Sequence, residues 1–515
     1  MRPGLLDEDA TQRLRAALAG YTVDAVHDRL GLVGQAALAR ADRHGVARRI
    51  GGTDRLATLL RLFALGADVD EDAAAAAFAP LHLDEAMTAG LLDRAGGRVR
   101  ARLDVRPYAE GGAPGPGRTS GGPDWWVVSD FGSDVRAGPL APDHVLGIGS
   151  ASLTLAQATP RAPVRRALDV GTGCGIQALH LHQHATEVVA TDISERALRM
   201  AASTAALSGQ RWDLRHGSLL DPVAGERFDL VVANPPFVVS AGGIGHEYRD
   251  GGRAGDGICE ALVRGLPGVL AEGGTAQLLA NWVVPVEQPW DERVAGWLAG
   301  SGCDAWVWQR EVAEPAEYVA LWLRDAGERP GTARWAERYD AWLDWFDGAG
   351  IAAVGMGLVT MWRTDSADPV VVCEDVPQAV QQPVGPSVAA WHGRARWLRG
   401  RSDEALFAAT LRAADGLVLD RAALLEGTGW TDATVHLRQS GGLRWSVEAD
   451  EAIAALVAGC DGTATLRQVT TVLAAALAAD ADEVAGAVAP VVRDLVARGF
   501  LLPPGTAADG VGEPR

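Results

Sequence analysis

The run Asn234-Pro235-Pro236-Phe237 closes the apolar stretch Phe228-Asp229-Leu230-Val231-Val232-Ala233. Asparagine occurs at only two positions in the chain, 234 and 281, so its placement here is not compositional noise. Proline lacks a backbone donor and fixes its own φ, so a strand that meets two of them stops abruptly. What remains at the strand's carboxyl end is a carboxamide, ring-locked backbone carbonyls and an aromatic face. In an open α/β sheet, that edge is where ligands bind. The group suits a flat, amino-bearing acceptor. The Asn234 side-chain oxygen and the Pro235 carbonyl can accept its two N–H bonds while Phe237 covers its plane.

A second signal lies upstream. Ala167-Leu168-Asp169-Val170 reads as a short strand, followed by Gly171-Thr172-Gly173-Cys174-Gly175 and an apolar helical run through Leu179 and Leu181. A glycine-rich strand-to-helix turn lets a ligand approach the backbone closely. A dinucleotide fingerprint would need glycine at the sixth position of G-x-G-x-x-G, and Ile176 stands there. The spacing of Asp169 and the three glycines instead resembles the adenosylmethionine turn of class I methyltransferases. A further strand, Glu187–Thr191, ends in Asp192, where an acidic residue would meet ribose hydroxyls.

Taken together, these residues resemble the amino-methyltransferases with Asn-Pro-Pro-aromatic: the release-factor glutamine methyltransferases (the HemK group), adenine-N6 enzymes and guanine-N2 ribosomal RNA enzymes. The resemblance spans roughly residues 125–325. It implies S-adenosyl-L-methionine as cofactor, bound by Asp169, Gly171, Thr172, Gly173, Gly175, Asp192, Ile193, Ser218 and Asn234. It implies catalysis by Asn234, Pro235 and Phe237, with Pro236 and the segment Asp250-Gly251-Gly252 shaping the acceptor site. That segment looks like the Asp-Gly-Gly run of glutamine methyltransferases. Two positions depart from the pattern. Phe237 replaces the usual tyrosine, as in RNA-modifying members, and Ser218 stands where an aspartate usually meets the adenine amino group.

Composition narrows the chemistry. The chain of 515 residues has no lysine, so Schiff-base catalysis, pyridoxal phosphate attachment and a Walker lysine are excluded. A net charge of −19 opposes a broad non-specific grip on nucleic acid. The arginines at 161, 165 and 166, and those at 394, 396, 399 and 401 around Trp391 and Trp397, are local exceptions. The second group is expected to be a solvated linker with a half-buried tryptophan. Five cysteines are scattered without a Cys-x-x-Cys pair, pointing to a reducing cytoplasm with neither disulfides nor a metal site. No apolar run reaches the ~18 residues of a spanning helix, and the first residues lack a signal peptide's apolar core. A cytoplasmic protein with no membrane partner is expected.

These features predict an α/β fold: a Rossmann-like class I methyltransferase core between helical, winged-helix-like N- and C-terminal domains. The expected divisions are a helical domain over 1–109, a Gly/Pro-rich linker over 110–123 and the core over 124–330. A Trp-rich extension and linker over 331–400 follow, then a winged-helix-like domain over 401–503 and a disordered tail over 504–515. Core strands are expected at 166–170, 187–191, 228–233 and 275–280, with Cys303–Trp308 and Tyr318–Arg324 as an antiparallel edge. Whether Gly355–Trp362 completes the core sheet is left open. His144–Ser150 is expected to lie over the cofactor.

The expected reaction is in-line methyl transfer to a planar amino nitrogen, with positioning supplying most of the rate. The acceptor read first is a protein glutamine amide, on a release factor or ribosomal component. The alternative is an exocyclic amino group of an RNA or DNA base. A non-enzymatic ligand sensor is the remote third.

Overall fold

The computed structural model describes residues 4–109, 124–133, 135–136, 140–241 and 253–505. The expected linker at 110–123, the Asp250-Gly251-Gly252 segment and most of the expected tail lie outside those residues. Two compact units emerge. One comprises Met1–Ala156 with Ala162–Asp375, and the other Gln157–Arg161 with Val376–Arg515.

The first unit begins with helices Glu8–Leu18, Val23–Ala39, Arg43–Ile50 and Arg55–Leu59. Their starts are set by side chains: Asp7, Thr22, Asp42 and Asp54 each accept a backbone N–H of the first turn. Helix Glu8–Leu18 buries Ala10, Leu14, Ala17 and Leu18, the stripe its spacing predicts. A helix over Leu83–Thr88 then leads into the hairpin Leu92–Ala95 and Arg98–Ala101, which Val69–Asp70 completes as a three-stranded sheet. Asp104–Ala109 and Asp124–Ser129 form a separate antiparallel pair. Trp126 on that pair donates its indole N–H to the Tyr21 carbonyl at 2.8 Å.

The central sheet carries the site. Its strands are β1 (Val164–Val170), β2 (Ala185–Asp192), β3 (Asp213–His216), β4 (Phe228–Ala233), β5 (Leu270–Pro285), β6 (Cys303–Ala313), β7 (Ile351–Arg363) and β8 (Val371–Asp375). Their spatial order is β3-β2-β1-β4-β5-β7-β6-β8. Strands β1 to β5 pair in parallel, β7 runs antiparallel to β5 and β6, and β8 is parallel to β6. The chain departs from β1 toward β2 and β3 on one side and returns on the other at β4. The carboxyl ends of β1 and β4 therefore form the crevice where such sheets bind ligands.

The connecting helices are α1 (Ser150–Ala158), α2 (Ile176–Leu181), α3 (Glu195–Leu207), α4 (Gly257–Gly265), α5 (Trp290–Leu298), α6 (Pro315–Asp325) and α7 (Ala333–Gly348). One core packs Leu168, Val231, Ala276 and Leu278 of the sheet against Ile258 and Leu262 of α4 and Val294 and Trp297 of α5. A second packs Tyr318, Val319 and Leu323 of α6 and Trp342 and Phe346 of α7 against Val238, Val239, Val283 and Val354. Burying each of the aliphatic or phenyl side chains stabilises by about 1.5–3 kcal/mol.

Three sequence expectations need correction. Tyr318–Arg324 is not a strand but lies within α6, because Pro315 opens a helix whose first turn Glu314 caps through its carboxylate. The antiparallel partner of β6 is instead β7, which contains the segment 355–362 and completes the core sheet. The sheet thus runs past the expected boundary at 330, through β8 to Asp375. Within the expected linker, residues 385–398 form a helix that buries Trp391 and Arg394.

The second unit holds a small sheet in which Thr410–Ala413 lies between Asp461–Thr465 and Leu501–Leu502. Helices Leu466–Leu477 and Ala481–Ala497 separate its strands, and Thr465 and Gln468 form a capping box at the first. It also holds a long hairpin, Leu417–Glu426 with Gly429–Gln439, whose turn contains Gly427 at φ 62°.

Candidate active site

The glycine turn is fixed by its own backbone. Gly171, Gly173 and Gly175 have φ of 72°, 53° and 88°, a region that costs other residues about 1–2 kcal/mol each. The amides of Gly171 and Thr172 both donate to the Thr191 carbonyl at 2.9 Å, which ties the turn to the end of β2. The glycines serve different ends. A Cβ on Gly175 would come within 2.5 Å of the Trp212 ring, so that position is set by packing. A Cβ on Gly173 would find nothing within 4 Å, so its open side is free for a ligand. A Cβ on Gly171 would have the Asn234 carbonyl as its neighbour at 3.9 Å, which places the two motifs side by side.

Both acidic residues of this half are engaged with the backbone. Asp169 is fully buried beneath the turn, where its Oδ2 accepts from the Thr172 hydroxyl at 2.6 Å and the Ala178 amide at 3.2 Å. Burial pushes its carboxyl up to about 7, against the opposing effect of those two bonds. Asp192, at the end of β2, accepts from the Gly173 amide at 2.9 Å and the Ser194 amide at 2.8 Å. Beside it, Ile193 is 58% exposed, an apolar face held outward at the strand end. The Gly217 amide donates to the Asp192 carbonyl, so exposed Ser218 sits on the loop next to this carboxylate. Cys174 is buried with its thiol pushed up to about 12 by desolvation, which suits a space-filling side chain and not a nucleophile.

The segment His144–Gly149 leading into α1 is anchored at its start. Asp130 is ion-paired with Arg196 and accepts from the Val145 amide at 2.8 Å, and Arg196 also reaches the Asp143 carbonyl at 3.1 Å. Burial raises the Asp130 carboxyl, but Arg196 and the Val145 amide outweigh it and hold the group below its ordinary value.

The acceptor half is arranged differently. The Asn234 carboxamide donates to the Ser152 hydroxyl at 3.5 Å, a weak bond, and its Oδ1 is buried without a hydrogen-bond partner. Ser152 in turn offers its carbonyl to the Gln177 carboxamide at 2.8 Å, linking α1 to α2. Pro235 is buried and Pro236 part-buried. Phe237 meets Trp322 of α6 edge-on, ring centres 5.9 Å apart. Two residues later, the Val239 amide donates to the Tyr318 hydroxyl at 2.9 Å and its carbonyl accepts from the Trp342 indole at 3.2 Å. The carboxamide of Asn281 also donates to the Tyr318 hydroxyl, at 3.0 Å. Burial raises the Tyr318 phenol well above its ordinary value, so the hydroxyl stays protonated.

The structure therefore gathers Gly171, Gly173, Asp192, Ile193 and Asn234 at the carboxyl ends of β1, β2 and β4, with Phe237 following. Asp169 and Gly175 stand one step back, as supports of the turn. The residues not anticipated are Ser152, Gln177, Asn281, Tyr318 and Trp322. Of these, only Asn281 gave a compositional signal, as the second of two asparagines. Among the described residues, no group of three or more His, Cys, Asp or Glu could hold a metal ion. None of their helices is long and apolar enough to cross a membrane.

Residues 146–295, the stretch that contains this geometry, match the family model described as the methyltransferase small domain. The core is an S-adenosylmethionine-dependent methyltransferase domain. On either side, residues 18–102 and 389–503 match two families described as domains of unknown function (DUF7059 and DUF7782). The chain aligns with ribosomal RNA small subunit methyltransferase C of Klebsiella pneumoniae subsp. pneumoniae, 33% identical over 129 residues, covering 25% of this chain and 34% of that protein. The protein of that name from Salmonella newport is 30% identical over 172 residues, covering 33% and 46%. The chain thus spans between a third and a half of the length of these curated relatives. Among solved structures, ribosomal protein L11 methylase from Lactobacillus delbrueckii subsp. bulgaricus is 27% identical, covering 32% of this chain and 75% of that one at a TM-score of 0.23.

Proposed function

We propose that this protein methylates the exocyclic amino nitrogen of a nucleobase, with ribosomal RNA as the acceptor. The observation that carries the reading is the unpartnered, buried Oδ1 of Asn234, at the carboxyl end of β4 and beside the glycine turn. A buried acceptor without a donor costs about 1–3 kcal/mol. A ligand's N–H removes that cost, and the weak bond to Ser152 does little to hold the carboxamide in its present orientation.

The residues fit the methyl donor. Gly173 presents its bare side, Asp192 stands at the strand end where ribose hydroxyls arrive, and exposed Ile193 offers a face for the adenine ring. Bound there, S-adenosylmethionine supplies an already activated sulfonium methyl. Everything else falls to the chain's own groups. Asn234 Oδ1 and the Pro235 carbonyl accept the acceptor's two N–H bonds, which orients the nitrogen lone pair. Both bonds strengthen as positive charge grows on that nitrogen. Phe237, braced by Trp322, covers the acceptor plane. Tyr318 and Trp342 pin Val239 and so fix the segment that follows the motif.

Two supports favour a base over a glutamine amide. The curated relatives named above are ribosomal RNA methyltransferases by name, and Phe237 with Trp322 offers more aromatic surface than a primary amide can use. Incubating the full chain with radiolabelled S-adenosylmethionine and lysed cells, then splitting the sample between ribonuclease and protease, tests the proposal. Release of label by ribonuclease is expected. Release by protease alone would overturn the nucleobase reading in favour of a glutamine amide.

A further inference from the structure

We propose that the helical pair Val23–Ala39 and Arg43–Ile50 is a docking surface for the phosphate backbone of RNA. The inference rests on the proposed RNA acceptor and names the part of the chain that would hold it.

The first observation is charge. In a chain of net −19, residues 29–61 carry seven arginines against two aspartates. The second is how those arginines are spent. Elsewhere in the N-terminal helices and small sheet most arginines are neutralised: Arg13 by Glu85, Arg94 by Glu71 and Asp84, Arg98 by Asp70 and Arg100 by Asp68. Arg40, Arg48 and Arg49 are exposed and form no ion pair among the described residues. The third is convergence. Arg29 donates to the Ile50 carbonyl at 3.3 Å, and Arg61 to the Gly52 carbonyl at 2.7 Å. A Cβ on Gly34 would lie 3.3 Å from the Cβ of Arg49, so that side chain's stem rests on the longer helix.

The guanidinium groups of Arg29 and Arg61 therefore meet at the turn Ile50–Asp54, where Asp54, paired with Arg29, is the one carboxylate, and exposed Arg48 and Arg49 lead into it. Like charges held together and left unpaired work against folding, and a polyanion offsets that cost. Arginine's planar fork matches phosphate oxygens in pairs. Neutral protein faces offer nothing comparable. An acidic protein segment is the competing partner, and the regular run of phosphates along RNA fits a spread of arginines better than one acidic cluster does.

Several arginines of the groups that stand out in the sequence are used internally. Arg394 is fully buried, Arg166 is paired with Glu187 and Glu226, and Arg401 lies over Trp397 at 3.8 Å. Exposed Arg165 and Arg396 form no ion pair among the described residues either, but their neighbours Arg166 and Arg394 are paired or buried, so 29–61 keeps the larger group of unpaired arginines.

The test uses the full chain, deproteinised small-subunit ribosomal RNA, and a triple variant carrying Arg40→Gln, Arg48→Gln and Arg49→Gln. Glutamine keeps much of each stem, and all three sites are exposed, so circular dichroism and S-adenosylmethionine affinity should stay at wild-type levels. The plot of log affinity against log salt should flatten by roughly 2–3 in slope, at about 0.7–0.9 for each phosphate no longer neutralised. An unchanged slope and affinity in the folded variant would overturn the surface. So would poly-glutamate displacing the RNA at equal charge concentration. Arginine-dependent RNA binding by a wild-type chain that methylates no RNA would support the surface and sink the proposed acceptor instead.

Discussion

The two halves of the cleft solve opposite problems. On the cofactor side, the groups that shape the turn are held within the protein: Asp192 holds the Gly173 and Ser194 amides, Asp169 beneath the turn holds Thr172 and Ala178 through Oδ2 while its Oδ1 is buried without a partner, and Thr191 holds the first two amides of the turn. On the acceptor side, the turn-closing residue leaves its carbonyl oxygen buried without a partner. One half has its backbone fixed before a ligand arrives. The other is completed by its ligand. A site that must present a methyl donor in one pose gains from rigidity. A site that must stabilise a charge appearing only during transfer gains from an acceptor whose best bond is made then.

Substitutions should therefore separate the halves. The largest effect is expected at Asn234→Ala, where kcat should fall roughly 10²–10³-fold, the range for deleting one preorganised polar group. Folding stability should hold or rise slightly, since an unsatisfied buried acceptor disappears with it. Chemical denaturation beside steady-state kinetics checks both. Next comes Asp192→Ala, which should weaken S-adenosylmethionine binding by about tenfold to 150-fold, equivalent to about 1.5–3 kcal/mol for a hydrogen bond to a charged group.

A smaller loss is expected at Tyr318→Phe. The Val239 amide and the Asn281 carboxamide would then lie buried without their shared acceptor, at a cost of about 1–3 kcal/mol. Its signature is a lower melting temperature together with a raised acceptor KM, while S-adenosylmethionine affinity stays near wild type. A loss of cofactor affinity equal to that of Asp192→Ala would break the division between halves.

An effect of a different kind concerns pH. The Asp169 carboxyl is raised in the folded protein to about 7, so the native state holds its proton where the unfolded chain has lost it. That contribution is complete below the ordinary aspartate pKa of about 4 and fades as pH rises through about 7. Urea titrations of Asp169→Asn across that window should show a flatter stability profile than wild type. A parallel profile would mean that Asp169 does not titrate as its burial requires.

The motifs were legible because their chemistry is local. The turn needs glycine at three left-handed positions, and the strand end needs proline to stop it, so both are written in adjacent residues. Their supports were not. Ser152 lies 82 positions from Asn234, and Tyr318 lies 79 from Val239, separations that no periodicity reports. The apolar run at 318–324 suits either a strand or a helix, and the deciding residues, Glu314 and Pro315, act as a helix start just outside it. The hairpin at 417–439 gave no alternation to read, because most of its first strand is exposed on both faces. The arginines at 394–401 looked like a surface cluster, yet Arg394 is wholly buried, a fate its charge argues against.

Titration calorimetry with S-adenosylmethionine on Asn234→Ala and Asp192→Ala, side by side, tests the division of the cleft most directly. The expected result is near wild-type affinity in Asn234→Ala and a loss of about tenfold or more in Asp192→Ala. Equal losses in the two variants, or an intact affinity in Asp192→Ala, would contradict it.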